Sequence, residues 1–233
     1  MLALDYDGTL ARDGLVDDQT LAALTTARRS GIRLVLVTGR QLTSLFNTFN
    51  GVALFERVVA ENGAVLYDPA TAELQQLAPA PPPQLLEALR QQAVPISVGH
   101  SVVATVEPHE HAVLETIRRL GIEWHVIFNK GDVMVLPASV TKATGLHAAL
   151  ETMGVGAEQT VGVGDAENDH AFLQSCGLSV AVSNALPALR EGADWVTAGA
   201  CGAGVREVVD AWLSGALREV RSRRQRSRGS RPD

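Results

Sequence analysis

Cysteine is scarce: the 233-residue chain carries two, Cys176 and Cys201, with no CxxC spacing. Two thiols cannot staple a small scaffold, so a disulfide framework is excluded and a reducing compartment, the cytoplasm, is expected. Aromatic residues make up 4% of the chain, too few for a base-stacking nucleic-acid binder. A net charge of −6 argues the same way for the body of the protein. No stretch of about 20 apolar residues exists, so no membrane span is expected. Only Met1 to Leu4 precede Asp5, too little for the apolar core of a signal peptide, and none is expected. Lysine is nearly absent. Lys130 and Lys142 stand against 18 arginines, which makes each lysine worth inspecting.

The remaining composition, 46% hydrophobic and 20% charged, is that of a folded soluble chain with one large domain or a core bearing a modest insert. Short apolar runs alternate with helical patterns. Leu2–Leu4, Arg33–Val37, Val58–Ala60, Thr160–Val163, Leu178–Val182 and Trp195–Val196 read as strands, several apolar enough to be buried on both faces. Helices are expected over Asp18–Ser30, Gln41–Phe49, Lys142–Met153, Asn168–Ser175, a short stretch after Pro187 and Gly204–Leu213. Val65–Tyr67 returns as a hairpin from the third strand. This alternation predicts an α/β fold with a doubly wound parallel sheet. The pattern breaks at the stiff segment Ala78–Pro83, APAPPP. Helices over Gln84–Gln92 and His109–Leu120 and strands over Val102–Val106, Glu123–Asn129 and Val133–Leu136 follow, and Asn129–Asp132 marks a hairpin turn. The expected organisation is a core of residues 1–72 and 138–214, a small α+β insert over 73–137, and a disordered tail over 215–233.

Polar clusters sit where ligands bind in such sheets, beyond the carboxyl ends of the strands: Asp5 and Asp7, Thr38, Asn62, and Asp165 with Asn168 and Asp169. In extended chain, Asp5 and Asp7 point the same way. Two carboxylates forced together suggest a cation, and the acidic loop Asp165–Asp169 adds the hard oxygen ligands Mg²⁺ prefers. Asn168 and Asp169 could equally cap a helix. Thr38-Gly39-Arg40 forms an anion seat at a helix start, although Thr is also an ordinary N-cap. Lys142 opens a helix, where a cation opposes the dipole unless an anion meets it; a solvated surface residue is the alternative reading. Taken together the clusters describe a phosphoryl-transfer site. Asp5 would be the nucleophile. Asp5, the Asp7 carbonyl and Asp165 would hold Mg²⁺. Thr38 and Lys142 would bind phosphoryl oxygens. Asp7 would exchange protons with the leaving oxygen and the attacking water.

At these residues the chain resembles the haloacid dehalogenase-like (HAD) phosphatase superfamily, whose four motifs appear in order as Asp5–Leu10, Val37–Arg40, Lys142 within Thr141–Gly145, and Gly164–Asp169. The insert resembles a C2-type cap, as in the Cof-like, sucrose-phosphate phosphatase and phosphoglycolate phosphatase branches, and Glu61–Ala64 is similar to that branch too. The resemblance implies a Rossmann-like core and Mg²⁺-dependent hydrolysis of a small phosphomonoester, a sugar phosphate or a short phosphorylated acid, through an aspartyl-phosphate. It implies Asp5, Asp7 and Lys142 as catalytic, Thr38, Gly39, Arg40, Asn62, Lys142 and Asn168 as substrate-binding, and Asp5, Asp7, Asp165 and Asp169 as metal-binding. Asp169 would act through water or a hydrogen bond to Lys142. In this branch the cap selects the substrate; His100, His109, Glu110, His111 and Asn129 are its polar candidates, most of them readable as solvated surface. His109–His111 lacks metal-site spacing.

Three other functions fit parts of the pattern: a phosphomutase of similar build, a phospho-accepting signalling module, and a catalytically idle binding domain. The tail, with seven Arg against Glu219 and Asp233, could touch nucleic acid or acidic lipid, or be a solvated extension. Lys130 reads as a solvated turn residue. Oligomeric state is not legible in the sequence.

Overall fold

The computed structural model describes residues 1–129 and 131–217. Lys130, the Arg-rich residues 218–233 and the side chain of Asn129 lie outside the described residues. The chain runs β1 (Leu2–Asp5), α1 (Asp18–Arg29), β2 (Leu34–Val37), α2 (Leu42–Thr48), β3 (Arg57–Ala60), β4 (Val65–Asp68) and β5 (Glu73–Gln76). The insert follows as α3 (Pro83–Gln91), β6 (Ser97–Val98), β7 (Val103–Val106), α4 (Glu110–Leu120), β8 (Trp124–Asn129) and β9 (Asp132–Pro137). The core resumes with α5 (Lys142–Met153), β10 (Val161–Gly164), α6 (His170–Ser175), β11 (Leu178–Ala181), α7 (Pro187–Gly192), β12 (Trp195–Val196) and α8 (Gly202–Leu213).

Among the described residues the core sheet has eight strands in the order β12-β11-β10-β1-β2-β3-β4-β5. β12 through β3 are parallel, and β4 and β5 add an antiparallel edge. Every residue of β1, β2, β10 and β11 is buried, which is why these strands read as unbroken apolar runs. From β1 the chain steps one way to β2 and β3. It later enters on the other side of β1 and steps away through β10, β11 and β12. Right-handed crossovers in opposite directions put helices on both faces, with α1 against α8 and α5 against α6. The reversal point lies between β1 and β10, so a crevice opens beyond the ends of those two strands.

The insert forms its own antiparallel sheet, β6-β7-β9-β8. Alternation divides its side chains. Val103, Val126 and Val135 face α3 and α4, packing on Leu85, Leu89, Val113 and Ile117. Ile127, Met134 and Leu136 face the core. Two departures from expectation concern the boundaries. Glu73–Gln76, expected in the insert, is β5 of the core sheet; its residues are exposed and, Leu74 aside, polar, so main-chain pairing with β4 holds it without a periodic signal. Leu217, expected in a disordered tail, is buried against the core.

Core and insert are tied at Glu61, which is fully buried and accepts from the backbone N–H groups of His100 (3.0 Å), Ser101 (2.8 Å) and Val102 (3.0 Å). The Ser101 hydroxyl donates to the Ala78 carbonyl at 2.8 Å, and Gln76 Nε2 to the His100 carbonyl at 3.0 Å. A side chain at Gly145 would strike Gly63 and Val59, so the 61–63 turn and the first turn of α5 meet backbone to backbone. Gly145→Ala is expected to destabilise the protein by roughly 1–3 kcal/mol. Thermal unfolding of the variant checks this.

Candidate active site

Each polar cluster leaves the end of a core strand. Asp5 ends β1, Thr38 follows β2, Glu61 and Asn62 follow β3, and Asp165 follows β10. Lys142 is the first residue of α5, whose N-cap Thr141 and Thr144 bond each other in a capping box. The helix dipole disfavours a cation there, and the structure supplies the anions that offset it. Lys142 Nζ lies 2.6 Å from Asp5 Oδ1 and 2.6 Å from Asp169 Oδ1. All three side chains are at least 97% buried.

Asp169 uses its second oxygen on the loop itself, accepting from the backbone N–H groups of Asp165 (2.8 Å) and Ala166 (3.0 Å). It therefore fixes both Lys142 and the acidic loop. Asp165 Oδ1 accepts from the Thr9 hydroxyl at 3.1 Å, which ties the loop after β10 to the loop after β1. One carboxylate oxygen from each of Asp5, Asp165 and Asp169 lies within 4.8 Å of the others. Three buried carboxylates thus share one ammonium. Burial, then Asp169, raises the Asp5 carboxyl well above its usual range, with Lys142 pulling the other way and Asp165 adding to the rise. Burial works against the Lys142 ammonium, but Asp169 and Asp5 together outweigh it and keep it protonated. The excess negative charge and the hard oxygen donors fit a divalent cation between Asp5 and Asp165.

Thr38 is fully buried; its hydroxyl oxygen accepts from the Arg40 N–H at 3.1 Å and its own N–H donates to the Val59 carbonyl at 2.8 Å. Asn62, in left-handed backbone at φ +55°, accepts from Asn168 Nδ2 at 3.0 Å and approaches Met134 Sδ of the insert at 3.1 Å. Asn168 Oδ1 is buried with no partner among the described residues. Gly39 sits under Asn62 and Met134, where a side chain would crowd both.

The Asp7 side chain, expected as the proton carrier with only its backbone carbonyl on the metal, lies outside the three-carboxylate group. Arg40 holds it in a fork, Nε to Oδ2 and Nη2 to Oδ1, both 2.7 Å. Arg40, expected to bind substrate, spans Asp7 and Thr48 over the ring of Tyr6. Among the insert candidates, His109, Glu110 and His111 lie at the start of α4, in the helical layer away from the core. His100 takes part through its backbone. Asp132, Met134, Ser97, Gln41 and Ser44 were not singled out by sequence, yet they line a cleft of about 410 Å³ between core and insert, with Asp7 and Arg40. Period-2 alternation along β9 carried a signal for Asp132 and Met134. The others needed the docking of the two sheets. Burial, then Asp7, raises the Asp132 carboxyl.

Lys142→Met removes the only cation that the described residues place among the three buried carboxylates. Without metal it is expected to lower stability by about 3–5 kcal/mol and Tm by roughly 10 °C, with part of the loss recovered on adding Mg²⁺. Thermal unfolding with and without the ion checks this.

The haloacid dehalogenase-like hydrolase family matches this chain over residues 2–119 and 101–209. The chain is 32% identical over 217 residues to a phosphoglycolate phosphatase of Methanothermobacter thermautotrophicus, covering 89% of this chain and 96% of the relative. Among solved structures, a haloacid dehalogenase-like hydrolase from Bacteroides thetaiotaomicron superposes with a TM-score of 0.77 at 20% identity, over 90% of this chain and 97% of that one. The subclass IIB sugar phosphatase BT4131 superposes with a TM-score of 0.72 at 20% identity, over 91% of this chain and 98% of its own. No helix among the described residues is long and apolar enough to cross a membrane. A parallel-dominated sheet with its acidic crevice at the reversal point, a separate inserted sheet over that crevice and a family match along most of the chain agree: this protein belongs to the haloacid dehalogenase-like hydrolases and is a phosphatase.

Proposed function

We propose that the protein hydrolyses a small phosphorylated acid or sugar phosphate by transferring the phosphoryl group to Asp5 and then to water, with Mg²⁺ as the cofactor. The observation that carries this reading is the buried Asp5–Lys142–Asp169 arrangement beside Asp165. Asp5 ends a rigid central strand, so its carboxylate is held in place for attack on phosphorus. Bound between Asp5, Asp165 and the Asp7 carbonyl, Mg²⁺ would offset repulsion between the nucleophile and the phosphoryl oxygens. Lys142, the Thr38 hydroxyl and the backbone N–H of Gly39 would receive the remaining oxygens. Asn62 and Asn168, bonded to each other, would close the seat on the side of the insert.

In the first step the bond from phosphorus to the ester oxygen breaks as the bond to an Asp5 oxygen forms, and Asp7 gives its proton to the departing alcohol. Asp7 then takes a proton from the water that attacks the aspartyl-phosphate, releasing phosphate and restoring Asp5. Asp169 is a positioning residue: it holds Lys142 with one oxygen and the Asp165 loop with the other. The inserted sheet acts as the cap that contacts the leaving group, since Ser97, Asp132 and Met134 line the cleft over Asp7. The relative from Methanothermobacter thermautotrophicus supports the acid as substrate, and the likeness to a sugar phosphatase supports the sugar phosphate. A cytoplasmic location suits two buried free thiols, Cys176 and Cys201.

Phosphate release from an aryl phosphate, then from a panel of phosphorylated acids and sugars, tests the reading. Turnover is expected only with Mg²⁺, and without any bisphosphate activator. Asp5→Asn is expected to lower kcat by at least roughly 10³-fold. The metal-free variant is expected to melt no lower than wild type, because it carries one buried carboxylate fewer. A long-lived phosphoprotein without turnover would point to a signalling module instead.

A further inference from the structure

Resting on the phosphatase reading, we propose that Arg40 is the receptor for a carboxylate carried by the substrate, and that this carboxylate displaces Asp7 from the guanidinium. Substrate choice and the release of Asp7 for catalysis are then one event.

Four observations carry this. First, among the described residues Arg40 is the sole cation lining the cleft, and Asp7 and Asp132 are its acids. Second, the guanidinium already holds a carboxylate in a two-point fork, at 2.7 Å on both oxygens, so the site is shaped for that planar group. Third, the guanidinium is anchored independently of Asp7. Its Nη1 donates to the Thr48 hydroxyl at 3.1 Å, and it lies 5.0 Å from the centre of the Tyr6 ring. When partners exchange, the carboxylate moves and the arginine stays. Fourth, Gln41 Nε2 is buried beside Arg40 with no hydrogen-bond partner among the described residues. Its Oε1 is fixed by the Ser97 hydroxyl of the cap at 3.1 Å, so the amide donor is held in the cleft wall. A buried donor left unmatched calls for an acceptor.

Asp132 decides which anion fits. It faces the same arginine from the cap, and the cleft then accepts one singly charged group better than a second phosphate. With Arg40 engaged by Asp7, both Asp7 oxygens are committed to the guanidinium. An ester with no carboxylate leaves that pair intact and reacts slowly. An ester whose carboxylate takes the fork leaves Asp7 clear to serve the ester oxygen.

The test compares phosphoglycolate with 2-hydroxyethyl phosphate, which replaces the carboxylate with an alcohol, and with an aryl phosphate, for wild type, Arg40→Gln, Arg40→Lys and Gln41→Leu with Mg²⁺. Wild type is expected to prefer the acid. Arg40→Gln is expected to lower kcat/KM for the acid roughly 100-fold more than for the alcohol. Arg40→Lys, with the charge but not the fork, should keep only part of the preference. Gln41→Leu should raise KM for the acid roughly tenfold. Circular dichroism confirms that each variant is folded. Equal losses on both esters in the two Arg40 variants would overturn the inference, as would an unchanged KM in Gln41→Leu. Turnover of the aryl phosphate without preference for the acid would overturn it while leaving the phosphatase reading in place. No turnover of any ester by wild type would sink both.

Discussion

Three buried carboxylates around one buried ammonium are the constraint on which the rest of the site depends. Asp5, Asp165 and Asp169 come from the ends of adjacent strands, and Lys142 comes from a helix that packs behind the neighbouring strands. Such charges are tolerated in an interior only where they are paired and hydrogen-bonded. Here Lys142 bridges two of them, two backbone N–H groups satisfy Asp169, and the Thr9 hydroxyl satisfies Asp165. The arrangement stays short of neutral, and that deficit suits the divalent cation of the proposed mechanism. Rigid, fully buried strands make it possible, because a charge deficit in a mobile loop would relax into solvent.

Two backbone contacts transmit that constraint outward. Gly63 and Gly145 let the turn after β3 touch α5, which sets the height of Lys142 above the sheet. The same turn presents Glu61 to three backbone N–H groups of the cap. One short segment therefore seats Lys142 on one side and the cap on the other. Met134, delivered by the cap onto Asn62, closes the contact. Cap position and phosphate seat are mechanically joined through residues 61–63.

The pairing of Arg40 with Asp7 follows a different logic. Asp5 is held by the buried Lys142, whereas Asp7 sits at the mouth of the cleft in the fork of Arg40, which is itself steadied by Thr48 and Tyr6. The inner carboxylates are arranged for permanence and the outer one for exchange. This division suits the proposed roles, a fixed nucleophile at Asp5 and a proton carrier at Asp7 that would meet both an alcohol and a water.

Much of the core was legible because local patterns report directly on burial. A strand buried on both faces must be apolar throughout, so β1, β2, β10 and β11 announced themselves, and with them the order of helices between. The acidic and basic motifs stood out because each follows such a strand. β5 escaped because a polar edge strand is held by main-chain bonds that leave no trace in side-chain type. Residue types and their spacing specify the fold class, the polar residues at the strand ends and the kind of chemistry those types allow. That Asp7 and Arg40 face each other, that Glu61 receives the cap, and that Gln41, Ser97 and Asp132 share a cleft emerge from the folded arrangement. Those relations join residues 33 to 91 positions apart. They depend on how two separately folded sheets dock, and no local period in the chain records that docking.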